Sequence, residues 1–196
     1  MLPDYGQILI DALSKPGSAS SDFDLNPDIA LPVGRVLKPA AVLVGVRENG
    51  NVILTKRSAR LKHHPGQIAF PGGKKDEGDV DLIAAALREA HEEIGLPSDQ
   101  VEVLGSLPCH ETVTNYTVSP IVGLIMGNYD VLPEVGEVSD VFEVPFSHFA
   151  NLENFRIEGR RWQGNRRQYF VAPYGPYYIW GATARIFRAL ADRVAL

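Results

Sequence analysis

Apolar residues recur at intervals of three and four between positions 83 and 94, which is the pattern of one buried helical face. The members of this repeat are Ile83, Leu87, Ala90 and Ile94. Three consecutive alanines from position 84 add strong helix propensity. Asp79 or Asp81 can cap the start of this helix, and Gly95 stands where a left-handed cap would end it. The pattern therefore predicts an amphipathic helix that ends at Gly95.

Segments rich in β-branched and aromatic residues predict strands on both sides of this helix. Before it, residues 36–46 and 52–56 flank the sequence Glu-Asn-Gly-Asn, which is typical of a hairpin turn. After it, the strand-like segments lie near 101–107, 113–126, 138–145, 154–158 and 168–180. Strands combined with a few helices predict an α/β fold.

Two further helices are expected near the ends of the chain. Residues 4–14 can form a short helix, which is followed by a linker rich in Gly, Ser and Pro at 15–21. A closing amphipathic helix is expected from about 182 to 194. We therefore divide the chain into an N-terminal extension, residues 1–35, and one domain, residues 36–196.

Composition and charge fit a single globular enzyme domain. The chain has 196 residues, of which 45% are hydrophobic and 22% charged, and its net charge is −5. The one cysteine, Cys109, provides no disulfide framework and is compatible with a reducing compartment. No apolar run approaches the length of a membrane span, and no signal peptide is recognisable. We expect a cytoplasmic protein with a small-molecule substrate.

The predicted helix carries three glutamates near its end. At about 100° per residue, Glu89 and Glu93 lie nearly above one another, and Glu92 lies roughly 60° to their side. Like charges at this spacing repel one another and the negative end of the helix dipole. Arg88 can neutralise part of the cluster, and convergent carboxylates also suit Mg²⁺ or Mn²⁺. The alternative is a solvated acidic helix face.

A basic loop precedes the helix. Its charged or titratable members are Arg57, Arg60, Lys62, His63 and His64. Such a concentration suits an anionic ligand that binds beside an acidic metal site, although a solvated loop gives the same pattern. The glycines at 66, 72 and 73 allow the backbone to approach a ligand closely. The two histidines lack a second pair of His or Cys at a zinc spacing, so zinc is not expected.

A second basic stretch lies near the C-terminus. It consists of Arg160, Arg161, Trp162, Arg166 and Arg167. Stacking on the tryptophan and phosphate contacts from the arginines would suit RNA. The acidic net charge and the brevity of the stretch favour an exposed hairpin around Gly164 and Asn165 instead. We therefore do not expect a nucleic-acid partner.

The segment from Arg88 to Leu96 reads Arg-Glu-Ala-His-Glu-Glu-Ile-Gly-Leu. It resembles the second half of the Nudix box, in which Arg-Glu precedes an aliphatic residue, any residue, Glu-Glu, any residue, Gly and an aliphatic residue. The first half departs from that pattern, because Gly73 lies fifteen residues before Arg88 instead of fourteen. The candidates for the missing glutamate of the first half are Glu77, Asp79 and Asp81.

The segment from Ile53 to Gly73 is similar to the signature of the coenzyme A pyrophosphatase branch of the Nudix hydrolases. That signature reads Leu-Leu-Thr-any-Arg-Ser, three residues, Arg, three residues, Gly, three residues, Phe-Pro-Gly-Gly. Here Ile53 replaces the first Leu, and Lys62 replaces the second Arg. Lys62 keeps the positive charge but lacks the planar fork that binds phosphate through two hydrogen bonds.

This resemblance implies the Nudix fold, a mixed β-sheet sandwiched between α-helices. It implies hydrolysis of the diphosphate linkage of coenzyme A to adenosine 3′,5′-bisphosphate and 4′-phosphopantetheine, with Mg²⁺ or Mn²⁺ as cofactor. The implied catalytic residues are Arg88 and the metal ligands Glu89, Glu92 and Glu93. The implied substrate-binding residues are Arg57, Arg60, Lys62, Gly72 and Gly73.

Two other functions stay open at this stage. One is a Nudix hydrolase for another nucleoside diphosphate derivative, such as NADH or ADP-ribose. The other is a nucleotide-binding module without turnover, although such modules usually have a broken glutamate cluster and Glu89, Glu92 and Glu93 are all present. The general base is either metal-bound hydroxide or a distant carboxylate, for which Glu137 and Glu143 are candidates.

Overall fold

The computed structural model describes residues 3–31, 33–162 and 164–195. Within these residues, nine strands form one mixed sheet and two more form a separate hairpin. The strands are β1 (Ser20–Ser21), β2 (Lys38–Arg47), β3 (Asn51–Arg57), β4 (Ile68–Ala69), β5 (Gly72–Lys74), β6 (Val101–Ser106), β7 (His110–Glu111), β8 (Tyr116–Ile125), β9 (Val138–Pro145), β10 (Arg156–Trp162) and β11 (Asn165–Val171). The α-helices are α1 (Tyr5–Ser14), α2 (Leu82–Ile94), α3 (Phe146–Ala150) and α4 (Ala182–Ala195).

The centre of the sheet is a long parallel pair. β2 and β8 run side by side from the pair Lys38 and Tyr116 to the pair Arg47 and Ile125. All other pairings in the sheet are antiparallel except that of β1 with β7. β5 pairs with β2, which places Gly72 opposite Val42 and Gly73 opposite Ala41. The predicted mixed α/β architecture is confirmed.

Helices cover both faces of the sheet. On one face, α2 packs on β2 through small residues, with Ala41, Ala86 and Ala90 fully buried. On the other face, α1 packs against α4, and the rings of Phe149 and Phe187 stack with centroids 3.4 Å apart. The two hydrophobic clusters therefore lie on opposite sides of one sheet, and the predicted sandwich is confirmed.

The glutamate helix has the predicted ends, and its buried face is the predicted one in part. Asp81 caps α2 by accepting a hydrogen bond from Ala84 N at 2.8 Å, and Gly95 ends it at φ 71°. Ile83, however, is 40% exposed, whereas Glu93 is buried. Ala90 and Ile94 are buried as predicted, and Ala85 and Ala86 are buried as well. At 100° per residue, the centre of the buried face is displaced by roughly 60° from the predicted one, toward Ala86 and Glu93.

Most other predicted elements are confirmed. Gly50 forms the predicted hairpin turn with φ 84°, and β9 has the predicted bounds. The terminal helices occur as α1 and α4, and β10 and β11 form the predicted hairpin around Gly164. β11 is shorter than predicted, because the chain leaves the strand after Val171 and returns only as an isolated bridge at Trp180. Among the described residues, none of the helices is long and apolar enough to span a membrane.

Candidate functional site

The carboxylate of Glu93 lies inside the protein against the glycine turn that precedes α2. Its Oε2 atom accepts a hydrogen bond from Gly72 N at 3.3 Å, and the residue is only 5% exposed. Burial raises the pKa of Glu93 to about 7, and the neighbouring charges of Glu89 and Glu137 act in the same direction. A cation near Glu93 would therefore stabilise the ionised form of its carboxylate.

The glycine turn leaves space for these carboxylates. A Cβ atom on Gly73 would lie 2.4 Å from Oε1 of Glu89, so a side chain there would overlap with the carboxylate. A Cβ atom on Gly72 would lie 2.4 Å from the carbonyl oxygen of Ala41, because β5 runs tightly along β2. Burial also raises the pKa of the half-buried Glu89. Both glycines are thus required by close approach, of a carboxylate at one and of the backbone at the other.

Arg88 connects the acidic groups. Its Nη1 atom donates to Glu89 Oε1 at 3.0 Å and to Glu92 Oε2 at 2.9 Å. Its Nε and Nη2 atoms donate to the two oxygens of Asp79, each at 2.9 Å. These bonds hold the pKa of Asp79 at about 2 and raise that of Arg88. The expectation that Arg88 neutralises part of the cluster agrees with this geometry.

The structure distinguishes the three candidates for the missing first-half glutamate. Asp79 is buried and contacts Arg88, whereas Asp81 caps α2 and Glu77 lies exposed in the loop. The inserted residue is therefore accommodated in the loop before Asp79. A shorter acid at this position bonds to the arginine of the box.

The three glutamates of α2 do not meet at one point. Glu92 is exposed and bonds to Arg88, whereas Glu89 and Glu93 lie against the glycine pair. Across residues 3–31, 33–162 and 164–195, no group of three or more acidic, His or Cys side chains is arranged to hold a metal ion. The convergence predicted from helix geometry is therefore seen for Glu89 and Glu93 only.

The basic loop places one arginine next to the glutamates. The charge of Arg57 acts on the carboxylate of Glu93, and Arg57 Nε is buried without a hydrogen-bond partner among the described residues. Arg60 and Lys62 are exposed further along the loop. Gly66 N donates to the carbonyl oxygen of Arg57 at 3.1 Å, which turns the loop back toward β4. Of the predicted substrate-binding side chains, Arg57 is the one at the carboxylates.

The two candidate general bases differ in position. The charge of Glu137 raises the pKa of Glu93, which places Glu137 within electrostatic range of the buried acid. Glu143 instead forms an ion pair with Arg47 at 2.6 Å and accepts a hydrogen bond from Asn51 at 2.8 Å. Glu137 is therefore the better placed of the two.

A cavity of about 380 Å³ opens on the sheet face opposite α2. Its floor includes Val42 and Phe70, and its walls include Arg160 and Tyr169 of the β10–β11 hairpin and Trp180 just before α4. Its volume lies within the range of about 300–1,000 Å³ that is usual for small-molecule sites. Arg57 connects it to the carboxylates, because the charge of Arg57 acts both on Glu93 and on His64, which lines the cavity.

The N-terminal segment closes one side of this cavity. The side-chain amide of Asn26 donates to Gln168 O at 3.0 Å and accepts from Gln168 N at 2.7 Å. Asp22, which also lines the cavity, accepts from Val113 N at 2.9 Å and contacts Nε2 of the buried His110 at 3.1 Å. These bonds connect the segment to β7 and β11 and fix the position of the hairpin.

Most of this cavity does not follow from the sequence. Arg160 and Arg167 belong to the second basic stretch, and they line the cavity together with Tyr169 and Trp180. These residues come from different elements that only the fold brings together. The available signal was the combination of arginines and aromatic residues between 160 and 180.

Comparison with known proteins identifies the family of this arrangement. The pattern of the NUDIX domain matches residues 36–162. The chain is 42% identical over 161 residues to the uncharacterized Nudix hydrolase NudL of Citrobacter koseri, covering 81% of this chain and 84% of that protein. It is 40% identical over 187 residues to NudL of Klebsiella pneumoniae, covering 89% and 97%.

Among solved structures, the crystal structure of the MutT protein from Methanosarcina mazei Go1 has the same fold. Its TM-score is 0.53 and its sequence identity is 18%, and the match covers 84% of this chain and 96% of that chain. The predicted Nudix fold is confirmed by this likeness together with the domain match.

Proposed function

This chain belongs to the Nudix hydrolase family, and we propose that its substrate is coenzyme A. As a Nudix pyrophosphohydrolase it acts on a nucleoside diphosphate derivative. For coenzyme A, hydrolysis of the diphosphate linkage yields adenosine 3′,5′-bisphosphate and 4′-phosphopantetheine. Acyl derivatives of coenzyme A carry the same linkage and fall within the proposal.

One observation carries this proposal. Arg57, from the coenzyme A signature, acts electrostatically on Glu93, from the glutamate helix, and the Gly72 N–H group of the same signature bonds to that carboxylate. Both sequence motifs therefore contribute to one site. The Nudix box alone accounts for the reaction but not for the choice of leaving group, so the substrate assignment depends on the signature.

The acidic residues fit a divalent cation. Glu93 is a buried carboxylate whose pKa is raised, and the half-buried Glu89 repels it from the next turn of α2. Carboxylate oxygens are ligands that Mg²⁺ and Mn²⁺ prefer. Glu89 and Glu93 would hold Mg²⁺ or Mn²⁺, and Glu92, which shares Nη1 of Arg88 with Glu89, would join them only by turning away from that arginine. When bound, such an ion neutralises the diphosphate and lowers the pKa of water.

Other groups of the chain would position the substrate. Arg57 would donate from its unpartnered Nε to a phosphate oxygen, and Arg60 and Lys62 would contribute positive charge from the rim. Gly72 and Gly73 would shape the loop, because Ala41 and Glu89 approach them too closely for a side chain. Arg88 would fix Glu89 and Glu92, and Glu137 would accept a proton from water.

Parallel hydrolysis assays test this proposal. Purified protein with Mg²⁺ or Mn²⁺ is offered coenzyme A, NADH, ADP-ribose and a capped dinucleotide, and the products are separated by chromatography. We expect the highest kcat/KM with coenzyme A. A higher value with NADH or ADP-ribose would reject the coenzyme A assignment but keep the family chemistry. Binding of nucleotides without hydrolysis of any substrate would favour a regulatory module.

A further inference from the structure

The cavity beside β10 and β11 is lined by aromatic rings and by arginine, a combination that favours a nucleotide. Tyr169 and Trp180 form an edge-to-face pair with ring centroids 5.1 Å apart. The guanidinium carbon of Arg160 lies 4.3 Å from the Trp180 ring centroid and 5.9 Å from that of Tyr169. Aromatic faces suit a planar base, and a guanidinium suits a phosphate.

The charges around the cavity are predominantly positive. Arg160 and Arg167 both line it, and they face the single carboxylate of Asp22. That carboxylate is already engaged by Val113 N and by His110. His64 also lines the cavity, and desolvation and then the charge of Arg57 lower its pKa. The cavity thus favours an anionic group at the end near Arg160.

The position of the cavity links it to the reaction. The charge of Arg57 acts on Glu93 and also on His64, which lines the cavity. A ligand with its diphosphate between Arg57 and Glu93 can therefore extend past His64 into the cavity. The occupant of the cavity is then one of the two groups joined by the diphosphate.

We propose that this cavity holds the nucleotide end of the substrate, with the base against Tyr169 and Trp180 and the ribose phosphate against Arg160. This inference rests on the proposed function and adds a specificity determinant to it. Coenzyme A carries a phosphate on the ribose in addition to its diphosphate, whereas NADH and ADP-ribose do not. Arg160 would therefore select substrates that have the additional phosphate.

The strand geometry provides a matched control. Arg160 and Arg161 are neighbours on β10, and successive side chains of a strand point to opposite sides. Arg160 lines the cavity, whereas Arg161 is exposed and is not among its lining residues. Removing either side chain deletes one positive charge from the same strand, but only Arg160→Ala removes a charge from the cavity.

The experiment compares coenzyme A with dephospho-coenzyme A, which lacks only the ribose phosphate. We expect Arg160→Ala to lower kcat/KM for coenzyme A about tenfold or more, as for loss of a charge-assisted hydrogen bond, and to change kcat/KM for dephospho-coenzyme A less than about twofold. Arg161→Ala should leave both values near those of the wild type. Arg160→Lys should give an intermediate loss, because the charge stays and the fork is lost.

Calorimetric titration without metal gives a second readout that does not depend on turnover. Adenosine 3′,5′-bisphosphate should bind more tightly than adenosine 5′-monophosphate, and Arg160→Ala should remove this difference. Equal losses for both substrates and no preference between the two nucleotides would overturn the inference while the proposed function stands. If neither coenzyme is hydrolysed, the proposed function fails, and the titration still decides the role of the cavity.

Discussion

Arg88 and Asp79 form an ion pair in which Nε and Nη2 of the arginine donate to the two carboxylate oxygens at 2.9 Å each. The pair joins the loop after β5 to the second turn of α2. Because the same arginine also bonds to Glu89 and Glu92 through Nη1, the loop and two of the three glutamates are held by one side chain.

This pair predicts a dependence of stability on acid pH. In the folded protein the pKa of Asp79 is about 2, below the value of about 3.9 for an unfolded chain. The stabilisation is therefore complete above about pH 4 and is lost as the pH falls toward 2. We expect the free energy of unfolding of Asp79→Asn to be lower than that of the wild type at pH 6 and to approach it at pH 2.

Urea denaturation at several pH values measures this difference. Glu77→Gln is the control, because Glu77 is an exposed acid of the same loop. It should follow the wild type throughout. A difference between Asp79→Asn and the wild type that stays constant from pH 6 to pH 2 would show that the ion pair does not stabilise the fold.

The raised pKa of Glu93 predicts that the metal-free protein loses stability as the pH rises. Its pKa of about 7 lies above its ordinary value of 4.5, so ionisation in the folded state destabilises the protein as the pH rises through this window. Glu93→Gln removes that cost. We expect the variant to be more stable than the wild type at pH 8, by about 3 kcal/mol at most, and to show no such advantage at pH 4.

Thermal unfolding in the presence of a chelator tests this expectation. Glu92→Gln is a suitable comparison, because Glu92 is exposed and its substitution removes no buried charge. If Glu93→Gln were equally destabilising at pH 4 and pH 8, burial would not be the main influence on this carboxylate.

The close contact between Gly73 and Glu89 predicts that a side chain at position 73 lowers activity. A Cβ atom there would lie 2.4 Å from Glu89 Oε1, so Gly73→Ala should displace that carboxylate. A misplaced catalytic group costs on the order of a hundredfold in rate, and we expect kcat to fall by that amount while the protein stays folded. Gly78→Ala is the control, because no atom lies within 4 Å of the added Cβ. Activity of Gly73→Ala near the wild-type value would contradict the proposed role of Glu89.

Asn26 predicts a link between the N-terminal segment and the hairpin. Asn26→Ala leaves both backbone groups of Gln168 without their side-chain partner. Loss of such bonds costs about 1–3 kcal/mol. We expect lower stability and faster amide hydrogen exchange in β11, measured by mass spectrometry. Unchanged exchange in β11 would show that the segment does not support the hairpin.

Local patterns in the sequence were sufficient to predict the elements of the fold. The caps of α2 at Asp81 and Gly95 and the turn at Gly50 depend on neighbouring residues, which the sequence displays directly. Periodicity predicts the buried face of α2 only in part. Ala90 and Ile94 of the apolar repeat are buried, whereas Ile83 of the same repeat is 40% exposed and the smaller Ala86 is fully buried.

The site was predictable only in part, because some of its contacts join residues that are distant in sequence. The glutamates and Arg57 lie in motifs, and the structure brings Glu89, Glu93 and Arg57 to one place. The choice of Asp79 over Glu77 and Asp81 required the contact with Arg88. The cavity depends on contacts between residues distant in sequence, such as Asp22 with His110, which no local pattern displays.

The most direct test of the central proposal is the product of coenzyme A hydrolysis by wild-type protein and Glu93→Gln, compared side by side with Mg²⁺ or Mn²⁺. We predict that the wild type releases adenosine 3′,5′-bisphosphate and that the folded variant does so more than about a hundredfold more slowly, as for loss of about 3 kcal/mol of transition-state stabilisation. Absence of this product with the wild type, or near-equal rates for the two proteins, would contradict the proposed reaction or the proposed role of Glu93.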